Sequence, residues 1–262
     1  MGRNRVSKSV LASYSFLIYL FLYAPIIILI IYSFNDSKVN AVWMGFTTKW
    51  YYKLSSDGDI LTAFKNSLLV ASLSTLISTI IGTLAAVGMY KYKFKGKTVL
   101  DGLLYVPIII PEIVMGISLL VFFSQTKITL GIITLILAHV TFSISYVVVV
   151  VRAKLSGFDR NLEDAAMDLY ANEFQTFSKI TLPIILPGIA AGALMAITLS
   201  LDDVIISFFV SGPSYETLPL KIYSMVRVGV TPEINALSTV MIVITLSIAI
   251  ISELLQLKLN KN

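Results

Sequence analysis

Residues 184–210 read IILPGIAAGALMAITLSLDDVIISFFV, and this stretch decides what kind of molecule the chain is. It is long enough to cross a bilayer, which takes about twenty mostly apolar residues. Near its far end, however, it carries two adjacent aspartates. Five other stretches meet the same length requirement, at roughly 12–33, 67–90, 103–124, 129–151 and 235–255. The composition agrees with them: 56% of the 262 residues are hydrophobic and 13% are charged, whereas soluble domains carry about a quarter charged residues. The expected fold class is therefore all-α: a polytopic integral membrane protein with six transmembrane helices. Residues 1–262 form a single transmembrane domain in this reading. The basic start MGRNRVSK suggests a signal peptide, but the apolar run behind it is too long for a signal core and no small-residue cleavage site follows. The first segment is read as a retained span.

Orientation follows from the distribution of basic residues, which concentrate on the cytoplasmic side. With the N-terminus inside, the inner segments hold Arg3, Arg5, Lys8, Lys91, Lys93, Lys95, Lys97, Arg152, Lys154, Arg160, Lys179, Lys258 and Lys261, thirteen in all. The outer segments hold Lys38, Lys49, Lys53, Lys65, Lys127, Lys221 and Arg227, the other seven of the twenty. Both termini are thus expected in the cytoplasm, with residues 152–183 forming a cytoplasmic loop between the fourth and fifth spans. The same bias accounts for the net charge of +5 without a nucleic-acid partner.

Several chemistries are excluded or weakened. The chain has no cysteine, so disulfides, thiolate metal sites and cysteine nucleophiles are absent. One histidine, His139, cannot make a multi-histidine metal site. Gly96-Lys97-Thr98 has the ending of a phosphate-binding loop, but position 91 is Lys where that motif needs Gly, and a membrane helix precedes it where a strand is required. Gly188 and Gly192 form a GxxxG pattern, which in lipid means close helix packing. His139, within the fourth span, has two readings: a proton carrier, or a side chain hydrogen-bonded to a neighbouring helix. No catalytic set can be assembled, and the chain is read as a non-catalytic conduit or scaffold.

The informative charges are acidic. Asp202 and Asp203 lie inside the fifth apolar segment, and Glu112 follows Pro107 and Pro111 in VPIIIPEIVMG of the third. A carboxylate at the bilayer centre costs several kcal/mol, so it should face a water-filled path or a partner. Prolines that free backbone carbonyls are tolerated where a helix lines a cavity. Acids along a path favour a cationic solute. Each acid also has a plainer reading: Glu112 solvated at an interface, one of the Asp pair capping a helix or pairing with a basic residue of another subunit.

The cytoplasmic loop contains EDAAMDLYANEFQTFSKITLP, residues 163–183, an acidic amphipathic stretch ending on Leu-Pro. Asp159 and Asn161 are both suitable N-caps for a helix starting near Leu162. Leu162, Ala165, Ala166 and Leu169 recur at helical spacing as a small apolar face, with Asp164 and Asp168 on another. An acidic helix is repelled by anionic lipid, so a protein partner suits it better.

This stretch resembles the cytoplasmic loop of ABC importer permeases, whose pattern is Glu-Ala-Ala, three residues, Gly, nine residues, Ile, any residue, Leu-Pro. Asp164, Ala165, Ala166, Ile180, Leu182 and Pro183 fall on that spacing, with Asp164 in place of Glu and Tyr170 in place of Gly. The resemblance implies the type I importer permease fold and a coupling helix that docks on an ATPase subunit. Carried over residue by residue, coupling falls to Asp164, Ala165, Ala166, Leu169, Tyr170, Leu182 and Pro183, the first three forming the docking face. The family's Gly marks a turn where positive φ is needed. Tyr is poorly suited to that backbone, so the turn is expected to move to Asn172, which tolerates it.

SFFVSGPSYETLPLKIYSMVRVGVTPEINALST (207–239), YAPIIILIIYSFNDS and GFTTKWYYKL resemble the second permease subunit of spermidine/putrescine importers. That resemblance covers nearly the whole chain. It implies a multi-pass protein of the bacterial plasma (inner) membrane and a polyamine cargo. It also implies three kinds of partner besides lipid: a second related permease, two ATPase subunits that bind ATP and Mg²⁺, and an extracytoplasmic polyamine-binding protein. This chain would bind no cofactor, metal or nucleic acid itself. In the segment 211–233, Tyr215, Pro219, Tyr223, Met225 and Arg227 would face the binding protein or cover the outer mouth of the path, or simply pack as a loop. The rival readings are a secondary transporter or channel for a cationic solute, an importer permease for another small solute, and a scaffold without transport.

Overall fold

A computed structural model describes residues 2–37 and 42–259. Lys38 and Lys261 of the charge count lie outside the described residues. In chain order the helices are α1 (Gly2–Tyr32), α2 (Lys49–Ser56), α3 (Gly58–Lys91), α4 (Lys97–Ile109), α5 (Glu112–Gln125), α6 (Ile132–Leu155), α7 (Asn161–Asp168), α8 (Glu173–Thr176), α9 (Leu182–Asp202), α10 (Ile205–Val210), α11 (Leu218–Val228) and α12 (Pro232–Leu259). A π-helical turn, Phe177–Thr181, joins α8 to α9. Among the described residues there is no strand, only an isolated bridge between Asn35 and Phe46.

Five continuous helical stretches are long and apolar enough to span a membrane: Leu11–Tyr32, Gly58–Lys91, Ile132–Leu155, Glu173–Asp202 and Pro232–Ile251. Their outward positions are as apolar as their inward ones. Leu73, Leu76, Ile80, Leu246 and Ile250 are all exposed, as expected of helices bathed in lipid rather than water.

The third predicted span, 103–124, is not one helix. The chain bends by 110° between α4 and α5. The cause is local: a residue before proline is driven out of the helical region, and Ile110 is extended at φ −71°, ψ 134°. Pro111 is also extended, at φ −55°, ψ 136°, and two such residues in succession end a helix. The fifth predicted span, 184–210, is interrupted as well. Helix α9 stops at Asp202, Asp203 is extended, and α10 starts again at Ile205.

The chain clusters into two compact units. One comprises residues 1–61 and 222–243. In it Asn35 is fully buried and organises the turn after α1: its Nδ2 donates to Val42 O at 2.8 Å, its Oδ1 accepts from Met44 N at 2.9 Å, and its carbonyl accepts from Trp50 Nε1 at 2.8 Å. Lys53 pairs with Glu233 at 2.6 Å.

The second unit, residues 62–221 and 244–262, is built on α6, which is packed along much of its length by α9. Both glycines of the GxxxG pattern serve this contact. A Cβ on Gly192 would lie 3.4 Å from Val147 Cα, and one on Gly188 would lie 2.7 Å from Lys154 Cβ. The cores above and below these glycines are aliphatic and aromatic, centred on Leu135, Ala138 and Phe142 in one cluster and on Val147, Val151 and Ile185 in the other.

Candidate functional site

The two interruptions meet. Helix α10 packs against α5, an approach that depends on Gly116, where a Cβ would fall 2.6 Å from the Phe209 ring. Beside this contact is a cavity of about 120 Å³ whose lining includes Glu112, Asp202 and Asp203 together with Pro107, Phe142 and Tyr146. The three acids singled out in the sequence, nearly a hundred residues apart in the chain, therefore share one pocket. Pro111 contributes by breaking the helix so that Glu112 opens α5 at the pocket wall, while Pro107 lies within α4 and lines the pocket.

The acids are not equivalent. Asp203 is committed to the protein: its side chain is 5% exposed. One carboxylate oxygen, Oδ2, accepts from Ser207 N and Ser207 Oγ, both at 2.7 Å, and the other accepts from Ile206 N at 3.2 Å. It caps α10, which is the plainer of its two readings and the reason the chain can restart a helix inside an apolar segment. Asp202 and Glu112 are exposed to the pocket and have no hydrogen-bond or ion-pair partner among the described residues. Two carboxylates without partners in one pocket between apolar helices attract positive charge or water strongly.

His139 is fully buried and hydrogen-bonded to neighbouring helices, with Nδ1 2.7 Å from Ser200 Oγ and Nε2 3.1 Å from Ser207 Oγ. Tyr146, which lines the same pocket, was not identified from the sequence. It is one aromatic in the apolar run ISYVVVV and carries no local signal of its position.

A second candidate surface is the elbow between α7 and α8. The turn sits at Tyr170, whose φ is +64°, and not at Asn172 as expected. Tyr170 N donates to Met167 O at 2.9 Å and Ala171 N to Ala166 O at 3.1 Å, the paired bonds of a Schellman helix end, which requires a left-handed residue at this place. Asn172 has the ordinary backbone φ −76°, ψ 168° and caps α8: its Oδ1 accepts from Gln175 N at 2.8 Å, while Gln175 Oε1 accepts from Asn172 N at 3.1 Å. This reciprocal capping box needs Asn172 for the second helix, so the turn stays at the motif's glycine position.

The expected apolar face of α7 is outward. Leu162, Ala165 and Leu169 are exposed, as are the flanking acids Asp164 and Asp168, and Ala166 is half-buried. Leu169, Tyr170 and Phe174 form the tip, with Tyr170 98% exposed. Of the two expected caps, Asp159 makes the capping bond and Asn161 does not. Asp159 Oδ1 accepts from Asn161 N at 3.0 Å, and Arg160 between them already has helical dihedrals, φ −63°, ψ −26°. The residue of α7 that turns inward is Glu163, which accepts from Thr181 Oγ1 in the π-helical turn and lies 3.4 Å from Lys91 Nζ at the end of α3. Leu182 and Pro183 begin α9 directly after that turn, with Pro183 in the first turn of the helix where proline is tolerated. Arg160 lies over the Tyr90 ring at 4.5 Å, and Arg152 pairs with Asp101.

Comparison with known proteins agrees with this architecture. Residues 78–262 match the family described as the binding-protein-dependent transport system inner membrane component. The chain is 50% identical over 238 residues to the spermidine/putrescine transport system permease protein PotC of Escherichia coli (strain K12), covering 91% of this chain and 90% of that one. The chain belongs to this permease family. PotC of Haemophilus influenzae is 44% identical over 95% of this chain and 96% of its own, and the putrescine permease PotI of E. coli is 44% identical over 85% and 82%.

The permease fold is shared more widely. A bacterial transporter importing the acidic polysaccharide alginate superposes with TM-score 0.78 at 17% identity, covering 98% of this chain and 96% of its own. The MetNI methionine transporter does so at TM-score 0.66 and 15% identity, covering 76% and 95%. The chain is thus a multi-pass permease of the bacterial inner membrane with an all-α importer fold.

Proposed function

We propose that this permease forms half of the translocation path of an ATP-driven polyamine importer and contains no catalytic group. Both termini lie in the cytoplasm, and residues 1–262 act as one transmembrane domain. An extracytoplasmic binding protein delivers spermidine or putrescine to a pore made with a second, related permease. Two ATPase subunits, which hold the ATP and Mg²⁺, engage the α7–α8 elbow. Movement of that elbow is passed to α6 and α9, and access switches from outside to inside. Such a cycle needs two states that expose the cargo differently.

The observation that carries the reading is the pair of unpartnered carboxylates, Asp202 and Glu112, in one pocket at two helix breaks. A polyamine offers several ammonium groups, each a compact charge that a single carboxylate binds without fixed geometry. Asp203, already satisfied by its cap, contributes field rather than a free ligand. The relatives at 44–50% identity, all named as spermidine/putrescine or putrescine permeases, support the same cargo class.

The test is uptake of radiolabelled spermidine and putrescine by the reconstituted complex, with and without ATP. Uptake should require ATP, which a secondary transporter or channel would not. Asp202→Asn and Glu112→Gln should each reduce it, and unchanged uptake in both, singly and together, would sink the reading.

A further inference from the structure

One imidazole spans the interruption of the fifth segment. His139, on α6, reaches Ser200 Oγ in the last turn of α9 through Nδ1 at 2.7 Å and Ser207 Oγ in the first turn of α10 through Nε2 at 3.1 Å. The two serines stand on opposite sides of the break at Asp203 and Val204. Protons fix the tautomer. Ser207 donates its hydroxyl hydrogen to Asp203 Oδ2 at 2.7 Å, so it has only lone pairs left for the ring. Nε2 therefore carries the hydrogen, and Nδ1 accepts from the Ser200 hydroxyl. The donors run one way, from Ser200 through His139 and Ser207 to Asp203, and a neutral ring satisfies the whole chain. An imidazole can do this because its acceptor and donor point from different edges of one rigid plane, whereas an amide side chain holds both at a single end.

We propose that His139 is a positioning residue: it sets the geometry of the break, and through it the place of the Asp202 carboxylate opposite Glu112. Asp202 is the last residue of α9 and its carboxylate is held by no other group among the described residues, so its location in the pocket follows the backbone that His139 fixes. This rests on the reading of the pocket as the cargo route. A histidine that merely fills the core would affect how much complex assembles but not how that complex handles its cargo.

The experiment uses the assembled importer in proteoliposomes with ATP and spermidine. His139→Leu removes both hydrogen bonds at similar volume. It should raise KM for uptake about tenfold, the low end of what losing a charge-assisted contact to the cargo would cost, with Vmax per assembled complex within about twofold. A second readout needs no cargo. The chain lacks cysteine, so Leu199→Cys in the pocket wall gives a single site whose rate of modification by a cationic thiosulfonate reagent reports the shape of the pocket. His139→Leu should change that rate several-fold. If the Leu variant does not assemble, His139→Gln, which can reach one serine but not both, is read by the same two measurements.

Wild-type KM together with an unchanged modification rate would overturn the proposal, as would a loss confined to the amount of complex. A changed modification rate combined with normal uptake in Asp202→Asn would instead overturn the cargo route and leave the role of His139 in the break standing.

Discussion

Replacing Tyr170 by glycine is expected to tighten the elbow between α7 and α8. Tyr170 holds φ +64°, a region that costs an L-residue roughly 1–2 kcal/mol. Its side chain is 98% exposed, so truncation forfeits no packing within the chain. Glycine relieves the strain but adds about 0.5–1 kcal/mol of conformational freedom to the open state. The difference leaves a net local gain of about 0.5–1 kcal/mol, equivalent to opening that is roughly two- to fivefold rarer. The amide that reports it is Ala171 N–H, which closes the helix end on Ala166 O at 3.1 Å. Hydrogen exchange of this amide in nanodisc-embedded protein should slow by that factor in Tyr170→Gly. Tyr170→Ala keeps a β-carbon, and with it the strain, and should show no slowing. Equal slowing in both variants, or faster exchange with glycine, would refute the claim that the backbone at 170 is strained. Binding to the ATPase should move the other way, because both variants remove the ring from the tip of the elbow.

Other outcomes follow from the same geometry. Asp202→Asn and Glu112→Gln should each raise KM for polyamine uptake about ten- to a hundredfold, the worth of a charge-assisted hydrogen bond of about 1.5–3 kcal/mol, with a smaller effect for a diamine than for a triamine. Glu163→Ala leaves Thr181 and Lys91 without their shared acceptor; ATP hydrolysed per polyamine moved should rise, and Glu163→Gln, which can still accept from Thr181, should give a smaller rise. Asn172→Ala removes the cap of α8 and should destabilise that turn by about 1 kcal/mol, seen as faster exchange at Gln175. Gly192→Leu places a branched side chain where a Cβ already lies 3.4 Å from Val147 Cα, and should lower the thermal midpoint in detergent through about 1–3 kcal/mol of overpacking.

Much of the architecture was legible before any coordinates. Whether a segment enters lipid depends on a sum of transfer energies over about twenty consecutive residues, and that sum is local. The apolar runs therefore marked out the spanning segments, and the Asp164–Pro183 spacing marked the elbow. The bend at Pro111 had a local cause too, but the length criterion alone ran straight through it.

What depended on tertiary structure was which polar groups find each other. Asp202 and Asp203 are chemically identical neighbours in the sequence, yet Asp203 is capped by Ile206 and Ser207 and steadied by His139 while Asp202 faces the pocket unpaired. Glu163 turned inward because Lys91 and Thr181 await it from distant parts of the chain, and Tyr146 joined the acids only once α6 had packed on α9. Tyr170 shows the limit of residue preference. Its own propensity argued for a displaced turn, but two helix-end hydrogen bonds and the cap that Asn172 supplies to α8 outweigh a strain of about 1–2 kcal/mol. The sequence by itself determined the solvent this chain folds in and which stretches are apolar enough to enter it, because those are sums over neighbours. Tertiary structure alone decided which acid is free, which histidine nitrogen donates and which tyrosine is strained, because each of those is set by a partner remote in the chain.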